Sequence, residues 1–369
     1  MTTTIAYTEE QALLRDEARR WLRERVPVET VRALIGDARG DDESVWKELG
    51  ELGWLGLTID EEHGGAGLGA VELAVIAEES GRVLLPSPLL PHWLAATAIG
   101  LGASQAQADR WLPALATGEV QAVWAHVEPN GAWRAEQTQA EWKDGTLRGE
   151  KCFVHGAPTA GLFCVPVRTG GGTRVALVPA DARGVTVERE KTLDATRRQG
   201  RLHLDRVPVP EDALLERPAE EIDAALLPWG CTAFAAESAG GAAAALDMTT
   251  AYAATRKQFG KEIGAFQAIK HPLVNVLIAT EHARSLVYAA ATAIDEQGDD
   301  AESLARMAKA AASDAYGFAA SRAIQFHGGY GFTEECDAHL YMRRALASRP
   351  AFGDPAHHRA RIADALIGS

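Results

Sequence analysis

The run from Ala233 to Ala254 is dominated by alanine, with Gly240 and Gly241 side by side near its middle. Apolar periodicity continues through it, so the small residues imply a helix that others approach closely, not a disordered segment. A chain with such a segment must place further helices against it. The sequence supplies them: helical patterns run from about Gln267 to Gln297 and from about Asp300 to Phe326. Gly328, Gly329 and Gly331 end the second, and a terminal helix follows. The expectation is a C-terminal four-helix-bundle domain over residues 214–369.

Two other patterns precede it. Residues 1–118 read as an N-terminal helical domain. Thr8 and Gln11 have the spacing of a capping box. Leu14, Ala18, Trp21 and Arg25 follow at helical spacing, flanked by Leu22 and Val26. A short helix over Ser44–Leu52 would turn Trp46, Leu49 and Leu52 inward. The glycines from Gly64 to Gly69 break it, and another helix covers Ala70–Gly81. The stretch LLPSPLLP, Leu84 to Pro91, reads as extended or turning, because each proline restricts the residue before it. Ser104 is placed to cap a helix running to Ala116. At Gly118 the period changes. Residues 119–213 hold short alternating runs: VQAVWAHV, TLRGEKCFV, LFCVPVR, RVALVP, GVTVERE and RLHLDRVPV. Turn signals at Lys143-Asp144-Gly145, Gly170–Gly172 and Asp181–Gly184 separate them, which predicts a small β-barrel or sandwich. The fold class is α+β, mainly α.

A net charge of −14 over 369 residues argues against nucleic acid or an anionic membrane as partner. It leaves anionic small ligands open, since a few local arginines decide those. No apolar run reaches the roughly 18 residues a membrane helix needs. The opening MTTTIAYTEEQ lacks the basic start and apolar core of a signal peptide. Cys152, Cys164, Cys231 and Cys336 show no metal spacing and read as reduced thiols of a cytoplasmic protein. His126, His155 and His327 show none either, so no metal is expected. Glu61 and Glu62, ahead of His63, read as a loop feature supporting the N-terminal domain or as a solvated turn.

The stretch Tyr252 to His271, YAATRKQFGKEIGAFQAIKH, ends an alanine-rich helix with Arg256 and Lys257, turns at Gly260 and Gly264, and restarts as a helix near Ala265. Arginine offers a fork of donors to phosphate oxygens, and glycine lets a ligand approach the backbone. Charged residues at helix ends also occur as ordinary solvated surface.

This stretch resembles the RxQFG…FQ signature of the acyl-CoA dehydrogenase family. Gly53–Gly69, GWLGLTIDEEHGGAGLG, resembles the family's GxxGLxxPEExGGxG box. Ala323–Arg344, AIQFHGGYGFTEECDAHLYMRR, resembles its QxxGGxGY/FTxE box. The three motifs occur in the family's order, and the likeness covers nearly the whole chain. The resemblance implies FAD held between the β domain and the C-terminal helices, with its adenosine diphosphate half reaching a neighbouring subunit. Arg256 and Phe259 would meet the diphosphate and adenine region, Phe266 and Gln267 the adenosine end. Gln325, Gly328 and Gly329 would cradle the same half. The ring would be met by the strand around His126, in Trp124–Gly131, and by Phe153-Val154-His155, with Phe153 on its face. Here the chain departs from the family. Val127 and His155 stand where threonines are usual, and NGAWR replaces the usual GSD.

The resemblance implies α,β-dehydrogenation of an acyl-CoA or carrier-protein thioester, with a carboxylate as general base. The expected partners are that substrate, an electron-transfer flavoprotein or similar acceptor, and further copies or unlike subunits. The family's YEGT glutamate has no counterpart in PAFGDPAHH, Pro350–His358; Asp354 is the nearest carboxylate. The alternative base position of the family falls on Gly230. Glu237, seven residues on among alanines, is the first candidate base and Asp354 the second; Glu237 reads equally as a structural hydrogen-bond partner. Two other readings stay open. One is a non-catalytic subunit completing a sister chain's FAD site, as in the heteromeric branch with steroid side-chain enzymes. The other is a flavin oxidase or oxygenase on the same fold.

Overall fold

The computed structural model describes residues 7–37 and 39–368. Thr8 opens the first helix, α1 (Glu9–Arg25), through the expected capping box: its hydroxyl accepts from the Gln11 amide. Then come α2 (Val28–Ile35), α3 (Glu43–Glu51), α4 (Ala70–Arg82), α5 (Leu89–Gly102) and α6 (Gln105–Ala116). Seven strands follow: β1 (Ala122–Trp124), β2 (Glu141–Lys143), β3 (Thr146–His155), β4 (Leu162–Thr169), β5 (Gly172–Pro179), β6 (Val185–Arg189) and β7 (Gln199–Pro208). The long α7 (Ala219–Thr255) leads through a two-stranded hairpin, β8 (Lys257–Gln258) and β9 (Lys261–Glu262), into α8 (Gln267–Asp295). Helices α9 (Ala301–His327), α10 (Ala338–Ser348) and α11 (Pro355–Ile367) complete the order.

The chain forms two compact units: residues through Ala33 with Ala70–Leu85 and Pro228 onward, and Leu34–Gly69 with Pro86–Leu227. In the second unit the strands make one curled sheet in the order β1-β4-β2-β3-β7-β6, with β5 on the far side of β4. β4 pairs parallel to β1 and β2, and antiparallel to β5. Val123, Leu147, Phe163, Val165, Leu202 and Val207 fill its apolar core. All six alternating runs are strands. The sequence reading omitted β2, which pairs with β3 across Asp144 and Gly145, both at positive φ (48° and 73°). That two-residue turn is the hairpin geometry an Asp-Gly pair favours. Three residues with only a half-buried tryptophan between charges give little strand signal.

The same unit corrects two expectations and adds a helix. Leu89–Pro91 are helical, not extended: Pro91 lies in the first turn of α5, where backbone N–H groups have no intrahelical partner. In α3, Val45 is buried while Leu52 is 44% exposed, so the inward face is one position displaced. Helix α5 itself escaped notice because it is apolar on nearly all sides and shows no helical period.

In the other unit the alanine-rich helix packs as closely as expected. A Cβ on Gly240 would stand 1.8 Å from the Glu78 carbonyl oxygen, and one on Gly81 would stand 2.0 Å from that of Glu237. Backbones of α4 and α7 thus meet where both lack side chains. Glu78 lies in this packing and accepts from Arg284 Nε at 2.8 Å, while Glu79 takes both arms of Arg19 at 2.9 and 2.6 Å. Ala242, Ala245, Tyr316, Ala319, Ala320 and Ala323 form an apolar cluster between α7 and α9. The terminal helix of the sequence reading is two helices, α10 and α11.

Candidate functional site

The Tyr252–His271 stretch folds from the end of α7. Phe259 and Gly260 hold φ values of 51° and 77°, the left-handed pair that turns the β8–β9 hairpin tightly. Gly264 serves differently: a Cβ there would stand 2.9 Å from the Ala253 carbonyl oxygen. The hairpin is tied back by the Ile263 amide donating to the Arg256 carbonyl at 2.8 Å. Arg256 is exposed and forms no ion pair among the described residues. Phe259 is 92% exposed, and its ring meets Phe266 edge-on at 6.1 Å. Gln267 begins α8, whose Phe266 N-cap gives no side-chain bond, so the helix presents free amides at its positive end.

The glycine motif lies at the end of α9. His327 Nδ1 donates to the Ala323 carbonyl, 2.8 Å away, and the ring stacks on Tyr252 with centroids 4.3 Å apart. Tyr330 extends the stack, 6.2 Å from Tyr252. This stack joins the end of α7 to the end of α9, so two motifs distant in sequence meet at one surface. Gln325, Gly328 and Gly329 are exposed there, and Gly328 takes φ 62°, which favours glycine. A Cβ on Gly328 or Gly329 would meet nothing within 4 Å, so the glycine backbone faces open space.

The sheet carries the other group. Phe153 sits in the irregular register between Lys151 and Val154 where β3 pairs with β7. Its φ of 52° is strained for an aromatic residue, and its side chain is 54% exposed. The Phe153 amide donates to Glu190 Oε2 at 2.6 Å. Backbone strain of this kind concentrates at functional positions. Next to it, the Cys152 amide donates to the Val127 carbonyl at 2.9 Å, which sets the His126 segment beside β3. The His126 ring stacks on Trp124 at 6.2 Å. Burial pushes its pKa down to about 4, so it is neutral near pH 7. His155 ends β3 opposite Gln199.

The sequence reading gave no role to Glu128 and Lys151. Lys151 Nζ is 2.6 Å from Glu128 Oε1, and both side chains are buried. Glu128 also accepts from the Thr138 hydroxyl at 2.7 Å and the Gln139 and Ala140 amides. Burial alone would raise the Glu128 carboxyl, but the Lys151 ammonium and these donors hold it below its ordinary range. The pair anchors the loop after His126 to the strand bearing Phe153. Only a glutamate in the WAHVEPNG run hinted at it.

The candidate bases lie elsewhere. Glu237, 1% exposed in α7, accepts from Arg344 Nη1 of α10 at 3.1 Å. Asp354 is exposed and caps α11, accepting from the His357 amide at 2.8 Å; that bond holds its carboxyl below the ordinary range. Gly230 faces Phe352, whose ring would stand 2.4 Å from an added Cβ.

Family models for the acyl-CoA dehydrogenase N-terminal and C-terminal domains match residues 8–119 and 222–367. The chain belongs to the acyl-CoA dehydrogenase family. It is 34% identical to acyl-CoA dehydrogenase FadE12 of Mycobacterium tuberculosis over 326 residues, covering 83% of each chain. It is 33% identical to acyl-CoA dehydrogenase IpdE2 of the same organism over 349 residues, covering 94% of each. Among solved structures, the ChsE4–ChsE5 complex from Mycobacterium tuberculosis superposes with a TM-score of 0.91 at 26% identity, covering 100% of both chains. The family, the mainly helical α+β fold and the enzyme class expected from the three motifs therefore stand. This acyl-CoA dehydrogenase is a flavoprotein oxidoreductase with FAD as its cofactor. Its residues suit that group: an exposed, unpaired arginine, a glycine turn open to solvent, an uncapped helix start and an exposed aromatic ring on strained backbone. Among the described residues no helix is long and apolar enough to cross a membrane.

Proposed function

We propose that this chain carries out α,β-dehydrogenation of an acyl thioester, CoA- or carrier-linked, as one subunit of an oligomer. Arg256, the α8 start with Gln267, and the turn of Gln325, Gly328 and Gly329 would hold the diphosphate and adenosine half of a neighbouring subunit's FAD, with Phe259 and Phe266 against the adenine. Phe153 would pack on the ring of the FAD this chain's own sheet meets, and backbone groups of the His126 and His155 segments would bond that ring's edge. The observation that carries this reading is the Tyr252–His327 stack, which sets the arginine hairpin and the glycine turn on one exposed surface.

Bound FAD supplies the acceptor for the β hydride. The chain's own task is to hold the thioester, exclude water and remove the α proton with a carboxylate. Glu237 is the proposed base. To act, its carboxylate must leave Arg344 when substrate enters. An electron-transferring flavoprotein or similar acceptor would take up the electrons for which FAD supplies a place.

A specific observation favours a second reading. Both candidate carboxylates already have partners, Arg344 for Glu237 and the α11 amide for Asp354. In that reading a sister chain supplies the base, and this chain supplies the diphosphate contacts. One experiment separates the two: the purified chain, alone and with a sister chain, is mixed anaerobically with a panel of acyl-CoA thioesters while the flavin absorbance is followed. Bleaching by the chain alone, abolished in Glu237→Gln with the yellow colour retained, supports Glu237. Bleaching only with a sister chain, unchanged by Glu237→Gln, supports the shared site. A chain that retains no FAD in either form rejects both.

A further inference from the structure

We propose that the turn from Asp60 to His63 binds a divalent transition cation of the Zn2+ type. The turn is a single 3-10 segment, Glu61–His63, closed by Gly64 in the left-handed region at φ 79°. Its shape is fixed by backbone bonds: His63 and Gly65 amides donate to the Asp60 carbonyl at 3.0 and 3.1 Å, and Gly67 donates to Ile59 at 2.9 Å. Gly65 is obligatory, because a Cβ there would stand 2.0 Å from the Ile59 carbonyl oxygen. Three potential ligand atoms, one each from Asp60, Glu62 and His63, lie within 4.8 Å of one another on this rigid turn.

The acidic pair alone would be ordinary solvated surface. What distinguishes the turn is His63, whose side chain is 7% exposed although its neighbours are open to water. Its Nδ1 has no hydrogen-bond partner and faces Glu62 Oε1 at 3.7 Å. A buried ring nitrogen without a partner costs free energy unless something fills the gap. Its other nitrogen, Nε2, is 3.2 Å from Asp109 Oδ1 of α6. Asp109 is itself held by Gln105 Nε2 at 2.8 Å. A carboxylate on one ring nitrogen fixes the tautomer that leaves the other as an acceptor, which is how metal-ligating histidines are commonly held.

Tetrahedral Zn2+ with ligands at about 2.1 Å needs donors about 3.4 Å apart. Asp60 and Glu62 are exposed, so rotation of their side chains closes the remaining distance without moving the turn. One imidazole nitrogen with two carboxylates leaves the fourth position to water. The nitrogen donor favours Zn2+ and its neighbours over Mg2+ or Ca2+, which prefer all-oxygen sets. The cation would cross-link the glycine turn and act on stability, separately from the flavin chemistry.

The test uses the full chain, stripped with a chelator and titrated with ZnCl2 by calorimetry, with thermal melting in parallel. One equivalent of Zn2+ should bind and raise the melting temperature, and Co2+ in its place should give a visible ligand-field absorption. Asp60→Asn and Glu62→Gln change exposed side chains and should keep the fold while weakening Zn2+ at least about tenfold; Asp109→Asn should weaken it about 10- to 100-fold. No Zn2+ binding by the wild type overturns the proposal. So does binding undiminished in both Asp60→Asn and Glu62→Gln, or binding displaced equally well by Mg2+.

Discussion

Arg344 Nη1 donates to Glu237 Oε1 across 3.1 Å, and neither side chain is more than 2% exposed. Arg344 Nη2 also reaches the Leu84 carbonyl at 3.4 Å, so one guanidinium ties α7 and α10 to the end of the α4 segment. Two charges removed from water are stable together and costly apart. Arg344→Met should therefore destabilise the chain by about 3–5 kcal/mol, because it leaves the Glu237 carboxylate buried. Adding Glu237→Gln should restore much of that loss, since the stranded charge is then gone. Urea denaturation of the two single variants and the double variant measures the coupling. Additive effects would mean that the pair is not energetically coupled.

Arg256 contrasts with Arg344 at every point. It is exposed, follows the last turn of α7, and has no ion pair among the described residues. Arg256→Ala should change unfolding stability by less than about 0.5 kcal/mol. It should weaken FAD about ten- to a hundredfold, the effect of losing charge-assisted hydrogen bonds to an anion. Titrating FAD into apoprotein, with melting of the apo form as control, checks both halves. Arg256→Lys should recover only part, since a single ammonium does not reproduce the fork. An unchanged FAD affinity would remove Arg256 from the cofactor site.

What the sequence disclosed follows from how local each interaction is. The Thr8–Gln11 capping box and the Ser104 cap act between residues three apart and are legible locally; Gln107's part in the second appears only in the structure. The alternating strands and the close approach at Gly240 are legible in the same way. Helix α5 was hidden because burial on all sides erases the period that marks a helix. Lys151 with Glu128, and Arg344 with Glu237, are 23 and 107 residues apart. No local pattern links such partners, so a buried carboxylate looks alike in sequence whether it meets a substrate or an arginine. Similarly, the orphaned nitrogen of His63 is a consequence of folding that its neighbours Glu61 and Glu62 did not disclose.

Gly240 tests the α4–α7 contact directly. A Cβ there would stand 1.8 Å from the Glu78 carbonyl oxygen, and backbone cannot rotate aside as a side chain can. Gly240→Ala should cost about 3 kcal/mol or more, at the upper end for overpacking. Gly100, near the end of α5, is the control: a Cβ there meets nothing within 4 Å. Gly100→Ala should stabilise by about 0.4–1 kcal/mol through the unfolded chain's lost freedom. Thermal or urea denaturation of both variants should give shifts of opposite sign. A tolerated Gly240→Ala would show that α4 and α7 separate readily.

His92 should make stability depend on pH. It is 0% exposed; its Nε2 lies 3.1 Å from the Leu115 carbonyl, and its Nδ1 lies 3.2 Å from the Ala122 amide. One neutral tautomer satisfies both, donating from Nε2 and accepting at Nδ1, and a second proton would confront the Ala122 N–H. Burial accordingly pushes its pKa from 6.5 down to about 4. The unfolded chain therefore takes up this proton first as the pH falls. The stability is fully present above pH 6.5, is lost progressively from there to about 4, and changes no further below that; the loss is about 3 kcal/mol. His126 at about 4 and His358 at about 3 act in the same direction. Urea midpoints measured from about pH 7 to about pH 4.5 should fall steeply. His92→Gln, which keeps one donor and one acceptor, should reduce the slope by one proton and leave the other histidines' share. A slope identical to that of the wild type would mean that His92 is charged in the folded chain.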